Sequence, residues 1–412
     1  MSGDGAGYAP SVTSSRGLWS GLVLAGVGLI ATCYGLARFA YGLFAPRIAD
    51  EFRLTAATTG LIGSGGYVGY CLAIGLSTVA TARWGPRRVA VAAGVVATVG
   101  ISVVAAAPTA LVLAAGVLIA GSSTGIVSPP LAEAVARWVT EDSRDTAQTV
   151  VNAGTGIGVL VSGPVALVLL DQWRLAWVMF AAVAAAMTIV IARAVPGGGP
   201  SAERVAGERP VDHGRPVDHG RPAGLVRLLA ASAALGLASI AVWTFSQQHV
   251  ETENPVRWAA PVIWTIIGAA GVVGAFSGPL VARVGVRTSW SGLMILLAVG
   301  IAGLGAGAGI VAVAVLAGAV FGASYIALSG VVLVWATRLY PTRASLGVGL
   351  AFFMIAAGQA AGAPLVGLLA DRTGIAFTFS VCAVLALAGS LLSLGASVGA
   401  RPSAGSGHPA GR

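Results

Sequence analysis

Arg38 is the residue whose type and setting most invite chemistry, because it falls well inside an apolar run near the start of the chain. An arginine in the hydrocarbon of a bilayer costs from ~3 to more than 10 kcal/mol, so it turns towards a cavity or a partner. Tyr34, Arg38 and Tyr41 fall at helical spacing and share a face. A guanidinium on such a face can grip a carboxylate or phosphate-like group of a substrate. It can also snorkel to the headgroups or bond backbone carbonyls. A second cluster is Trp243-Thr244-Phe245-Ser246-Gln247-Gln248-His249, an unusually polar run for an apolar segment. Trp243 and Gln247 lie one turn apart and could read a polar substrate with an apolar body; the alternative is a helix that ends early and leaves His249 in water. Tyr67, Asn152, Tyr325 and Gln359 are further polar candidates within apolar runs, although single polar residues inside bundles often bond a neighbouring helix. Glu133 is the acid that this reading places clearly inside a span. A buried carboxyl there could carry a proton, pair with Arg137 in the favourable i,i+4 order, or reach Arg83 or Arg87.

Other chemistries find no support. The sequence has no HExxH, no Gly-x-Ser-x-Gly, no paired carboxylates in an apolar run and no Walker loop, so an enzyme and direct ATP drive are not expected. Cys33, Cys71 and Cys382 are too scattered for a disulfide framework or a metal site. No cofactor and no metal are expected.

The elements that must position these residues follow from composition. Of the 412 residues only 9% are charged, and the mean hydropathy is +0.87. A soluble chain needs about 25% charged residues, so most of this surface must face lipid. Apolar runs of membrane-crossing length predict helices at about 18–44, 56–80, 89–107, 109–136, 147–170 and 175–194. A second set follows at about 224–248, 257–281, 288–307, 309–336, 345–369 and 375–397. The first run is too long for a signal sequence and is followed by more spans, so it reads as the first helix and not a cleaved leader. On these boundaries Arg38 falls in the outer half of the membrane. A residue-by-residue repeat at an offset of 200 joins Ala82-Arg83-x-Gly85-x-Arg87 to Ala282-Arg283-x-Gly285-x-Arg287, Pro164 to Pro364 and Asp171 to Asp371. Gly100/Gly300 and Gly158/Gly358 share the offset but are discounted, since glycine is abundant. The expected organisation is a tail over 1–17, a six-helix half over 18–195, a linker over 196–223, a second half over 224–398 and a tail over 399–412. The linker holds Arg-Pro-Val-Asp-His-Gly twice, a solvated segment and not a metal tract.

The net charge of +9 comes from arginine alone, since the chain has no lysine. Arg83, Arg87, Arg88, Arg137, Arg144, Arg283, Arg287, Arg338 and Arg343 fall on one side, with Arg193 to Arg227; Arg47, Arg53, Arg174, Arg257 and Arg372 fall on the other. That bias predicts a multi-pass cell-membrane protein with both termini cytoplasmic, and no nucleic-acid partner.

The loop after the second helix, with its copy after the eighth, resembles the Gly-x-x-x-Asp-Arg-x-Gly-Arg-Arg signature of the major facilitator superfamily, with the aspartate replaced by Ala82 and Ala282. Gly154, Gly156, Gly158 and Gly163-Pro164 are similar in part to that family's antiporter motif, and Ala37-Arg38-Phe39-Ala40-Tyr41 resembles its YbfB/YjiJ-like branch. The resemblance implies an all-α fold of twelve membrane helices in two six-helix halves. It also implies secondary transport of a small solute by alternating access, acting as a monomer in the bilayer. A proton partner and an anionic or amphipathic substrate fit the same reading. Arg38, Tyr34, Tyr41, Tyr67, Trp243, Gln247 and Tyr325 are then the expected substrate contacts, and Glu133, Arg83, Arg87, Arg283 and Arg287 the gating or coupling set. A non-transporting receptor or regulator on this fold is the alternative.

Overall fold

The computed structural model describes residues 12–196, 224–340 and 344–393. The hexapeptide repeat, nearly all of the expected linker, the C-terminal tail and most of the N-terminal tail lie outside them. Among the described residues there are only helices, turns and short connections. Twelve long helices account for the architecture. The first, α1, runs from Val12–Ile30 through a π-helical stretch, Ala31–Phe39, into Ala40–Phe52. There follow α2 (Ala56–Trp84), α3 (Pro86–Ala105), α4 (Ala110–Trp138), α5 (Glu141–Leu169) and α6 (Trp173–Ala194). The second half begins with α7 (Leu225–Glu253) and α8, which starts as Ala259–Gly271 and passes through a 3-10 stretch, Val272–Phe276. Helix α8 ends at Gly285, where φ of 82° and ψ of 162° break the Ser277–Gly307 segment; its remainder is α9. The set closes with α10 (Val311–Leu339), α11 (Ala344–Thr373) and α12 (Ile375–Gly389).

Local chemistry sets the ends. Thr55 and Thr109 cap α2 and α4, each accepting a hydrogen bond from the backbone N–H three residues on. Gly85 turns α2 into α3 with φ 81° and ψ 160°, followed by Pro86 in the first turn. Gly285 does the same between α8 and α9, within two degrees in each angle. The offset of 200 therefore holds in the backbone as well as in the sequence. It also holds at the glycines set aside as too common: a Cβ on Gly100 or Gly300 would strike the backbone of α4 or α10, and one on Gly158 or Gly358 that of α1 or α7. Those matches are steric requirements of the repeat.

Large apolar side chains such as Leu24, Leu72, Leu76, Val79 and Leu111 point outward. A helix of 29 residues such as α2 is about 44 Å long, enough to cross a ~30 Å hydrocarbon core. The protein is a multi-pass membrane protein with two six-helix halves, α1–α6 and α7–α12. The halves meet along α2–α11 and α5–α8, with α1 against α7. At the arginine-rich end, marked by Arg83 and Arg283, Arg338 pairs with Asp145 across the halves at 3.7 Å. At the far end Arg47 sits between Glu251 (3.3 Å) and Asp171 (3.4 Å), and Arg257 reaches Asp171 at 3.1 Å. The Asp371 carboxylate accepts the Ala57 N–H at 3.0 Å, on the first turn of α2.

Candidate functional site

Helix α1 continues to Phe52 instead of ending near 44, which moves Arg38 from the outer half of its span to near the middle. It lies in the π-helical stretch Ala31–Phe39, whose wider turns are a frequent feature of functional sites. One cause of the local geometry is legible: Gly35 and Gly158 bring α1 and α5 to backbone contact, where neither position has room for a Cβ. Arg38 is only 7% exposed, so it does not snorkel. Its guanidinium carbon stands 4.6 Å from the ring centres of Phe39 and Tyr67, 5.2 Å from Tyr70 and 5.4 Å from Tyr34. Nη2 donates to Gln359 Oε1 on α11, and Gln359 Nε2 donates to the Tyr325 hydroxyl at 3.2 Å. Nε has no partner, and among the described residues no carboxylate is near enough to form an ion pair.

Around this cation the rings form a continuous wall. Phe39 stacks on Trp243 at 3.9 Å between centres, joining α1 to α7. Trp243 meets Tyr325, Phe321 and Trp264 edge-on at 5.1, 5.4 and 5.7 Å. Tyr34 bonds Tyr70 and Ser128 through its hydroxyl, at 3.0 and 2.7 Å. Two small voids flank Arg38, each about 10 Å³, room for about one water. The first is lined by Tyr41, Tyr67, Trp243 and Thr244 as well as Arg38. The second adds Tyr34, Asn152, Tyr325 and Ser329. Hydrogen bonds join the halves around them: Ser64 donates to the Ala360 carbonyl at 2.8 Å, Asn152 to Ser329 at 2.9 Å and Trp264 to Ser162 at 3.0 Å. This is an occluded arrangement around one buried positive charge.

Six of the seven expected substrate residues thus converge: Arg38, Tyr34, Tyr41, Tyr67, Trp243 and Tyr325. Tyr41 lines the first void, but its hydroxyl is committed to the Thr59 carbonyl at 2.9 Å. Gln247 lies one turn beyond Trp243, 1% exposed, with neither amide atom hydrogen-bonded. His249 is not in water, because α7 runs on to Glu253; it is buried, with Nε2 2.9 Å from the Gly305 carbonyl and its ring 5.3 Å from Phe379. The extended α7 also carries Glu251 and Glu253, so Glu133 is not alone among acids in a span. Glu133 pairs with Arg137 at 2.7 Å, as the i,i+4 spacing allows. Arg83, Arg87, Arg283 and Arg287 are exposed at the arginine-rich end, away from Arg38, and form no ion pair among the described residues. Ser329, Ser128 and Phe321 were not anticipated; a lone serine or phenylalanine in an apolar run carries no periodic signal.

The model of the Major Facilitator Superfamily matches residues 27–345. The chain belongs to that superfamily. Monocarboxylate transporter 11 of Mus musculus is 26% identical over 410 residues, covering 88% of this chain and 83% of that protein. Chloramphenicol efflux pump Rv0191 of Mycobacterium tuberculosis (strain ATCC 25618 / H37Rv) is 28% identical over 243 residues, 57% of this chain; the match spans about half of the pump, 56% of its length. The xylose transporter XylE from E. coli, in a partially occluded inward-open conformation, superimposes with a TM-score of 0.74 at 14% identity, over 91% of this chain and 97% of that one. The structural likeness establishes the fold that the two chains share.

Proposed function

We propose that this protein is a secondary transporter of a small organic monoanion, working by alternating access with the cargo held at Arg38. The observation that carries this reading is a buried guanidinium, between the two halves, faced only by neutral groups. Rings and one amide offset part of its desolvation, each close cation–π contact contributing ~0.5–2 kcal/mol. A carboxylate would complete the set, since Arg binds it with two parallel hydrogen bonds. One cation calls for one negative charge, and the surrounding Phe39, Trp243, Phe321 and Tyr325 suit an apolar body. Unpaired Trp243 Nε1 and the Gln247 amide offer further donors and an acceptor. The relative that acts on monocarboxylates by name is in keeping with this class.

The arginine distribution given above supports a place in the cell membrane with both termini cytoplasmic. Nucleic acid is no partner, because the basic balance reports orientation. Glu133, held by Arg137, is placed for a local pair, and proton coupling would have to draw its carboxyl out of that pair.

The test is a thermal-shift and proteoliposome-uptake screen of purified protein against matched monocarboxylates, their amides and dicarboxylates. Monocarboxylates should stabilise and be transported, and both effects should disappear in Arg38→Gln while it remains folded. Equal response to the amides, or full uptake by Arg38→Gln, would refute the assignment.

A further inference from the structure

A cleft of about 700 Å³ opens on the flank of the first half, between α2 and α3 and against Ile126 of α4. Its wall is apolar, with Leu76 and Val79 standing largely exposed. Its lip is formed by Arg83, Trp84 and Arg88. Both arginines are exposed, and among the described residues neither forms an ion pair or a side-chain hydrogen bond.

The repeat supplies an internal comparison. Two hundred residues on, the second half has a matching flank cleft of about 400 Å³, with Val273, Phe276 and Leu280 in its wall. The turn beside it has the same backbone, Gly285 repeating the angles of Gly85. Yet Trp84 is answered by Val284 and Arg88 by Thr288, and none of Arg283, Val284 and Thr288 lines that cleft. The two flanks share walls and differ in the charged, aromatic lip.

We propose that the first-half cleft binds one anionic phospholipid, with an acyl chain along the apolar wall and the phosphate between Arg83 and Arg88. An apolar cleft on the lipid-facing flank takes a hydrocarbon chain, and two unpaired guanidinium groups at its mouth select a net negative headgroup over a zwitterionic one. Trp84, exposed at the end of an apolar helix, is of the type that favours the membrane interface. The first turn of α3 has no side-chain cap, and the positive end of its dipole favours an anion on the same side. Bound there, the lipid would tie α2 to α3 at the turn where Ala82 leaves no carboxylate beside Arg83.

The test uses the full chain in detergent, with native mass spectrometry and thermal shift as readouts. Phosphatidylglycerol, phosphatidylcholine of the same chains and inorganic phosphate are added separately. Phosphatidylglycerol should be retained and raise Tm, while the other two do neither. The double variant Arg83→Gln/Arg88→Thr should weaken retention about thirty-fold, Trp84→Val should weaken it less, and Arg283→Gln should leave it unchanged. Arg83→Lys/Arg88→Lys, which keeps the charge, should still prefer phosphatidylglycerol and guards against a folding defect in the double variant. Equal retention of phosphatidylcholine by the native chain overturns the proposal without any variant. So does the same shift from phosphate alone, or undiminished phosphatidylglycerol binding by the double variant.

Discussion

The substitution Gly60→Ala tests whether the α2–α11 seam holds the far end closed. A Cβ built on Gly60 lies 2.6 Å from the Ala363 carbonyl oxygen and 3.4 Å from the Phe245 ring, both in the opposite half. Ordinary van der Waals contact begins near 3.4 Å, so the backbones must part by about 0.8 Å where neither can yield by a side-chain rotation. Overpacking of this kind costs ~1–3 kcal/mol, which shifts the ratio of closed to open states about 5- to 150-fold. Gly75 on the same helix is the control, because a Cβ there meets nothing within 4 Å. Gly75→Ala should be neutral or stabilising by up to ~1 kcal/mol, the helix propensity gain alone. The assay is the distance between spin labels on cysteines introduced at Gln172 and Thr373, both exposed at the far end, in a chain lacking Cys33, Cys71 and Cys382. Gly60→Ala should add a longer-distance population that Gly75→Ala lacks. A single unchanged distance with a stability equal to the control would refute the steric argument. Lowered stability without the longer distance would show that the seam is packing and not a gate.

Glu251→Gln removes one of the carboxylates around Arg47, a partly exposed pair, and should open the far end by only a few-fold, about 1 kcal/mol or less, with high salt acting in the same direction on the same label pair. Glu133→Gln breaks a half-exposed i,i+4 pair with Arg137, so it should change stability by under ~1 kcal/mol and leave the pH profile of uptake as it was; a displaced profile would make Glu133 a proton carrier after all. Trp264→Phe leaves Ser162 without its donor and a small cavity at a fully buried site, and should lower the unfolding free energy by at least about 1 kcal/mol in denaturant titration while shifting the closed population towards open forms.

The fold was legible because each crossing announces itself as an apolar run, and even the one-residue break expected between 107 and 109 falls in the observed gap between α3 and α4. Helix ends were less legible. An apolar run stops at its first charges, whereas α1 and α7 carry theirs, Asp50, Glu51, Glu251 and Glu253, on turns that continue past it. The same effect misplaced Arg38 in depth and kept open the alternative that leaves His249 in water. Arg38 itself stood out, since a charge in an apolar run is costly wherever it lies. Its partner Gln359 was one weak candidate among several, because a hydrogen bond over 321 residues leaves no local pattern. The π-helical widening has no sequence periodicity to betray it. The glycine matches were undervalued for a statistical reason that sterics overrules: abundance makes a coincidence cheap, but only contact shows which glycines are obliged to be small.

The two far-end aspartates have a further meaning. Asp171 reaches residue 257, and Asp371 reaches residue 57, so each is matched to the other's partner by the same offset of 200. Residue i meeting j while the copy of j meets the copy of i is the signature of an isologous contact, the kind two identical subunits make about a two-fold axis. The interface is written as though it had first joined two separate six-helix chains. Its present differences, an arginine side chain on one side and a backbone N–H on the other, mark where a fused pair has been free to drift apart. Halves expressed as separate chains should therefore still find each other in the membrane.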